Sequence, residues 1–295
     1  MREYVLITPC KNEEESLPKL AESIINQTIK PKLWVIVDDG STDRTVDIIN
    51  NLINRHTWIK NIRLKEGHRD LGIHVSYVCR EGFNFAIDYS ERLGNPFEYI
   101  GLIDADIILE KEYFEKLIYE FEKNCNLGIA SGRGANIIGK RIVEDKQRDD
   151  LPTGGARLWR KRCFNETGGY LLTKSPDSVS NVKAKLKGWD TMQFNHIKFV
   201  STRGHASAEG YYKGYKQFGA NNYFIGYIPA HALLKGLKLL LGKPHYTGFA
   251  YLHGYFSNLI LRNKRIDDDE VRYYFRYIRP REIGMYYINH IKKII

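Results

Sequence analysis

Residues Leu33-Trp34-Val35-Ile36-Val37-Asp38-Asp39-Gly40-Ser41-Thr42-Asp43 decide how this chain is read. Five consecutive apolar residues suit a strand buried on both faces, as in a parallel sheet. The run stops at two carboxylates and a glycine, and the Ser, Thr and Asp that follow suit the start of a helix carrying Val46, Ile48, Ile49, Leu52 and Ile53. Upstream, Tyr4-Val5-Leu6-Ile7-Thr8 has the same strand character, and Leu17, Leu20, Ile24 and Ile25 mark a helix over about 14–27 that Pro31 closes. Downstream, strands are expected over 73–78 and 99–103, helices over about 81–92 and 111–123, and a further strand at Leu127-Gly128-Ile129-Ala130-Ser131. This alternation of strand and helix predicts an α/β fold with a mostly parallel central sheet flanked by helices.

Beyond residue 135 the alternation loosens into a polar stretch at 139–150 and glycine pairs at Gly154-Gly155 and Gly168-Gly169, read as loops and short strands added to the sheet. From about 206 the pattern turns aromatic and helical. The expected organisation is therefore a catalytic domain over 1–205 and a helical, basic, Tyr-rich extension over 206–295.

Length and composition narrow the class. The 295 residues are 43% hydrophobic and 27% charged, enough for a large core, with no apolar run long enough for a spanning helix. Cys10, Cys79, Cys125 and Cys163 stand singly at irregular intervals, which suggests neither a zinc site nor a disulfide framework. With no signal-peptide pattern at the start, a cytoplasmic setting is expected. The net charge of +10 is uneven: residues 1–195 hold 29 Lys/Arg and 29 Asp/Glu, whereas residues 196–295 hold 16 and 6. The basic third also holds 13 of the 20 tyrosines, so nucleic acid, a membrane surface and an anionic substrate all need weighing.

Two acidic clusters follow apolar strands, Asp38-Asp39 and Asp104-Ala105-Asp106. In open parallel sheets ligands bind beyond the carboxyl ends of the strands. Two hard oxygen ligands there suit Mg²⁺ or Mn²⁺ shared with phosphate oxygens, although a short D-x-D also serves simply as a turn or helix cap.

The ordered set Thr8-Pro9-x-x-Asn12-Glu13, Gln27, Val35 to Asp43 with Thr45, and Ile103-Asp104-Ala105-Asp106 resembles the family-2 glycosyltransferases of GT-A fold. The resemblance implies a nucleotide-sugar donor. Thr8, Pro9, Asn12 and Glu13 would border the nucleotide, and Asp39, with Asp38 beside it, would hydrogen-bond the base. Asp104 and Asp106 would hold Mn²⁺ or Mg²⁺ on the diphosphate, with Ala105 between them, and the charge neutralised there makes the nucleoside diphosphate a better leaving group. Arg80 would open the segment that faces the diphosphate, and His205 is the candidate by order for the His that completes the metal site in several GT-A enzymes, with a surface or core His as the alternative. Residues 1–110 would then form the nucleotide-sugar and metal half, and 111–205 the acceptor half.

The acceptor half has its own match. Gly154-Gly155-Ala156-x-Leu158, then Arg162-Cys163-Phe164 and Gly168-Gly169-Tyr170, is similar to the family's acceptor-side segment. Asp177 falls where the family places its general base, although Pro176 replaces the usual Glu. A single carboxylate suffices to take the acceptor proton, and Asp177 also suits the start of the helix that follows. Trp159 and Trp189 are candidates for stacking on an acceptor sugar or for packing. The activity implied is inverting transfer of one hexosyl or N-acetylhexosaminyl group to a glycan or lipid-linked acceptor, in cell-surface polysaccharide or protein-glycan synthesis. A polyprenyl-phosphate glycosyl synthase shares the first two motifs but usually lacks the glycine-rich acceptor segment.

In the last third, residues 231–243 mix Leu233, Leu234, Leu237, Leu240 and Leu241 with Lys235, Lys238 and Lys243, a composition that suits a helix lying in a membrane interface. Basic residues continue from Arg262 to Lys293, interrupted by Asp267-Asp268-Asp269-Glu270. Peripheral contact with an anionic inner membrane face and a core-packed helix pair with a solvated basic side are both compatible with this. A nucleic-acid-binding module is the rival from another class, but no such motif is present and nucleic acid is not expected as a partner.

Overall fold

The computed structural model describes residues 2–65, 73–138, 141–144, 148–202 and 210–291. The chain divides into two compact units, Met1–Gly204 and His205–Ile295.

In the first unit the described strands form one sheet. The initial repeat runs β1 (Tyr4–Cys10), α1 (Leu17–Ile25), β2 (Leu33–Asp38), α2 (Thr45–Arg55), β3 (Ile59–Arg63), α3 (Ile73–Arg92) and β4 (Tyr99–Ile103). It continues with β5 (Ile107–Leu109), α4 (Tyr113–Lys123), β6 (Leu127–Ile138), β7 (Arg141–Glu144), β8 (Ala156–Arg160), α5 (Lys161–Glu166), α6 (Pro176–Leu186) and β9 (Asp190–Ser201). Strand order is β3-β2-β1-β4-β8-β6-β9-β5, with β7 on β6. The first four strands are parallel, as the sequence suggests. Beyond them β8 runs antiparallel to β4 and β6, and β5 antiparallel to β9, so the sheet as a whole is mixed. Order reverses between β1 and β4, which opens a crevice where Cys10 and Ile103 end their strands.

The unbroken apolar runs follow from burial on both faces. Tyr4, Leu6, Trp34 and Ile36 join one core with α1 and α4, while Val5, Ile7, Val35 and Val37 join another with α3. The expected strand at 73–78 is a correction: those residues are the first turns of α3, and the third strand is Ile59–Arg63. Ile73, Val75 and Tyr77 alternate as a strand would, but Val78, Cys79, Gly82, Phe83 and Ala86 line one buried helical face. Gly82 brings α3 against the sheet, since a Cβ there would stand 2.6 Å from Ile7 and 2.7 Å from Val37. Of the two roles open to Trp159, packing is the one found. It is 1% exposed and packs edge-on against Phe83 and Phe164, so it is a core residue and not a sugar platform. Trp189 is nearly buried, and its indole N–H donates to Glu166.

The second unit is helical among its described residues: α7 (Tyr211–Phe224), α8 (Pro229–Leu241), α9 (Tyr246–Ile260), α10 (Asp269–Tyr273), a π-helical turn at Tyr274–Ile278 and α11 (Arg279–Ile291). Its small core gathers Tyr223, Ala232, Tyr251 and Tyr255. Lys235 lies among aromatic rings, 3.8 Å from the centre of Phe218 and 5.6 Å from those of Tyr227 and Tyr251. No helix among the described residues is long and apolar enough to cross a membrane.

Candidate functional site

The loops after β1 and β2 interlock. Asn12 adopts a left-handed backbone (φ 55°), which turns its side-chain oxygen to accept from the Thr42 amide at 2.8 Å. Its own amide donates to the Ser41 hydroxyl, and the Glu13 amide donates to Thr45. Asp38 is fully buried, and one carboxylate oxygen accepts from the Ser41 amide at 2.9 Å while Arg63 approaches the other at 3.5 Å. Asp38 thus shapes the turn. Asp39 stands differently. Both its oxygens lie 2.9 Å from His74 Nε2 on α3, and Lys11 is 3.8 Å away. A cleft of about 390 Å³ opens beside this turn, lined by Gly40, Ser41, Thr42, Arg63, Leu64 and Lys65. Thr8 and Pro9 lie just inside the strand end; Thr8 is buried and its hydroxyl accepts from the Trp34 indole at 2.9 Å, so it braces the sheet.

The second cluster is built around glycine. At the end of β4, Asp104 turns the chain, its carbonyl accepting from the Ile107 amide at 3.2 Å and its amide donating to the Gly155 carbonyl at 2.8 Å. The Asp104 carboxylate lies over Gly155, where a Cβ would overlap Oδ2. Asp177 Oδ2 lies 3.1 Å from where a Cβ on the preceding Gly154 would stand. Of the two consecutive glycines that precede β8, Gly155 therefore faces the carboxylate that follows β4 and Gly154 the carboxylate of α6. Ala105 is buried, and the Asp106 carboxylate accepts from Ser201 at 3.3 Å at the end of β9. His205 lies outside the described residues.

Arg157 holds this arrangement and is not singled out by the motifs. It is fully buried, donating from Nε to the Thr153 carbonyl at 2.8 Å and from Nη2 to the Pro152 carbonyl at 2.7 Å. Nη1 reaches the Asp177 carbonyl at 3.3 Å and Asn181 at 3.2 Å. Burial lowers its pKa, while the charges of Asp177 and Asp104 work the other way. The sequence clue is a charged residue inside an apolar strand. Beneath the carboxylates, burial pushes the Cys79 thiol up to about 12 and the Tyr170 hydroxyl well above its ordinary value, so both stay neutral at pH 7. His74 carries no such clue in the sequence, since a strand over 73–78 gives it no route to Asp39. Arg80, one turn after Ser76 on α3, has a buried Nε with no hydrogen-bond partner among the described residues.

Asp177 occupies the first turn of α6, after Pro176 and a left-handed Ser175 (φ 55°). Its carboxylate forms no side-chain hydrogen bond with a described residue, although the buried Arg157 charge acts on it. Among the described residues no three His, Cys, Asp or Glu side chains gather into a metal cage. Mg²⁺ or Mn²⁺ can be held by one or two carboxylates, with water and substrate phosphate completing the shell. Asp104 and Asp106 fit that role.

A parallel βαβ half with carboxylates at its carboxyl ends, joined to a glycine-rich mixed half, is the layout of a GT-A nucleotide-sugar transferase. Residues 5–178 match the model of glycosyl transferase family 2, so the chain belongs to that family and is a glycosyltransferase. It is 30% identical over 203 residues to the chondroitin synthase of Escherichia coli, covering 65% of this chain and 27% of that one. It is 22% identical to the poly(ribitol-phosphate) beta-glucosyltransferase of Bacillus spizizenii, covering 97% of this chain and 47% of that one. The chain thus spans less than half the length of either relative. In fold it resembles the mannosyltransferase PcManGT from Pyrobaculum calidifontis, solved with GDP-Man and Mn²⁺, at a TM-score of 0.59 and 14% identity over 88% of both chains. Residues 1–349 of S. aureus TarS, solved with UDP-GlcNAc, give 0.53 at 15% identity over 90% of this chain and 74% of that one.

Proposed function

We propose that this glycosyltransferase moves a single sugar from a nucleoside-diphosphate sugar, with inversion, to a hydroxyl of a glycan or lipid-linked acceptor in cell-surface polysaccharide synthesis. The observation that carries the reading is the placement of Asp104 and Asp177 against consecutive glycines: a metal and diphosphate ligand beside a proton acceptor is what attack on C1 needs. Asn12, Glu13 and the Asp39–His74 pair take the nucleoside, in or beside the cleft at Gly40–Thr42. Asp104 and Asp106 hold Mn²⁺ or Mg²⁺, and Arg80 takes the diphosphate. The bound cation neutralises the leaving group's charge. Asp177 accepts the proton of the attacking hydroxyl, and Arg157 is a positioning residue that fixes the Asp177 backbone.

The names of similar proteins support the class of substrate. GDP-Man and UDP-GlcNAc occupy neighbours of the same fold, and two relatives are named for chondroitin and for poly(ribitol-phosphate). The setting proposed is the inner face of the membrane, with the basic helical unit in peripheral contact with anionic lipid.

The test is a thermal-shift screen with UDP-, GDP- and TDP-sugars plus Mn²⁺, since binding to the native state alone raises stability with the logarithm of ligand concentration over Kd. One donor should shift the midpoint, and the double variant Asp104→Asn, Asp106→Asn should lose the metal-dependent part. Absence of any donor shift, together with absence of nucleotide release on addition of acceptor polymers, overturns the reading.

A further inference from the structure

α8 is packed inside out. Its buried positions are Ala232 and Gly236, whereas Leu234, Leu237 and Leu241 are 65%, 47% and 86% exposed. A soluble surface helix normally turns its small and polar residues outward and its leucines toward the core. The reversal has a geometric cause. A Cβ on Gly236 would run into Leu252 of α9, and one on Gly248 of α9 would lie 2.5 Å from Leu240 and 2.7 Å from the Gly236 carbonyl. The α7–α9 contact repeats the pattern, with Gly219 against the Tyr251 carbonyl and Gly254 against the Lys216 carbonyl. Helices that meet backbone to backbone through glycine are the packing mode of a lipid setting, where apolar side chains need no burial against protein.

Charge points the same way. Residues 210–266 hold eight Lys/Arg and no Asp or Glu. Lys238 lies on the leucine face of α8 and Lys243 in the turn to α9, and neither has an acidic partner among the described residues. Phe249 is likewise 64% exposed, in the first turn of α9, the helix against which α8 packs. With 13 residues α8 is ~20 Å long, short of a ~30 Å hydrocarbon core.

We propose that the α8–α9 hairpin docks on an anionic lipid bilayer, with Leu234, Leu237, Leu241 and Phe249 entering the headgroup boundary and Lys238 and Lys243 meeting lipid phosphates. This names the surface behind the peripheral contact of the preceding reading, and rests on that reading only for its purpose of reaching a lipid-linked acceptor. Uniform basic character alone would bind polyanions of any kind; the leucines select a surface with an apolar interior.

Flotation of the full chain with phosphatidylcholine vesicles, and with vesicles of equal parts phosphatidylcholine and phosphatidylglycerol, tests it. The wild-type chain should float with the anionic vesicles, and Leu234→Gln, Leu241→Gln, Phe249→Gln in one chain should reduce the bound fraction at least tenfold with an unchanged melting midpoint, because all three side chains are exposed. Lys238→Glu with Lys243→Glu should erase the preference for anionic over zwitterionic vesicles. A wild-type chain that ignores both vesicles, or a triple-Gln chain that floats as the wild type does, overturns the proposal. So does a wild-type dimer in sedimentation that the triple-Gln variant dissociates without any vesicle binding, which would assign the face to a second copy. Nucleotide-sugar hydrolysis in free solution separates the two readings: the triple-Gln chain keeps it, and a chain that floats but hydrolyses no donor retains the docking face and loses the proposed activity.

Discussion

Gly154 and Gly155 in the sheet unit, and Gly236, Gly248 and Gly254 in the helical unit, all stand where a Cβ would crowd a neighbour, yet the neighbours differ in kind. In the sheet unit they are the carboxylates of Asp177 and Asp104; for Gly248 and Gly254 in the helical unit the closest include the carbonyl oxygens of another helix. The first pair makes room for charge beside the backbone, a chemical use. The second set brings helix axes together and releases leucines from the core, a packing use that leaves a surface for something else to cover. The same residue type thus stands against carboxylates in one unit and against helix backbone and side chains in the other.

The largest expected effect is on the chemical side. Asp177→Asn should leave donor binding unchanged in a thermal-shift titration and lower transfer by about 10²–10⁴-fold, the usual contribution of a positioned general base. Transfer that survives would place the base elsewhere and leave the Asp177–Gly154 contact structural. Next, Gly155→Ala forces a methyl group into the Asp104 carboxylate, so the Mn²⁺-dependent part of the donor shift should fall more than tenfold by calorimetry or thermal shift, with ~1–3 kcal/mol of lost stability. Gly254→Ala has only the packing consequence. It should cost the helical unit ~1–3 kcal/mol in urea unfolding, since the Lys216 carbonyl it meets is backbone and cannot swing aside. A loss of donor binding equal to that of Gly155→Ala would erase the distinction between the two sets.

A further effect, confined to the helical unit, is a pH dependence. Burial first, then the charges of Arg279 and Lys238, holds Lys235 down to about 7. The unfolded chain keeps the ordinary lysine value of ~10.4, so between these limits it binds more protons than the native chain, and stability rises with pH across that window. The penalty for enclosing the lysine is fully present below pH 7. Lys235→Met should flatten this rise in melting midpoint between pH 7 and 10, and a profile parallel to the wild type would show that the ammonium stays solvated.

Much of the catalytic unit was legible because its strands are buried on both faces and its carboxylates follow them directly. Val35-Ile36-Val37-Asp38-Asp39 and Ile103-Asp104-Ala105-Asp106 carry strand, end and chemistry in one run. The edge strand Ile59–Arg63 was not legible, since only Ile59 is buried and Lys60 and Asn61 break any apolar pattern. Nor was the start of α3, where apolar residues at 73, 75 and 77 imitate alternation before the helical face at 78–86 takes over. The loss of that helical turn hid His74, and with it the partner of Asp39.

The sequence by itself determined the family, the parallel first half and the residue types at the strand ends, because a two-sided strand and a glycine turn are local patterns whose period and composition survive without neighbours. Only the tertiary structure decided which carboxylates share a backbone step, that Asp38 shapes the turn while Asp39 meets His74, that Arg157 braces Asp177, and that the leucines of α8 face outward. Each of those depends on residues far apart in the chain coming within a few ångström, a distance that spacing along one strand or helix does not encode.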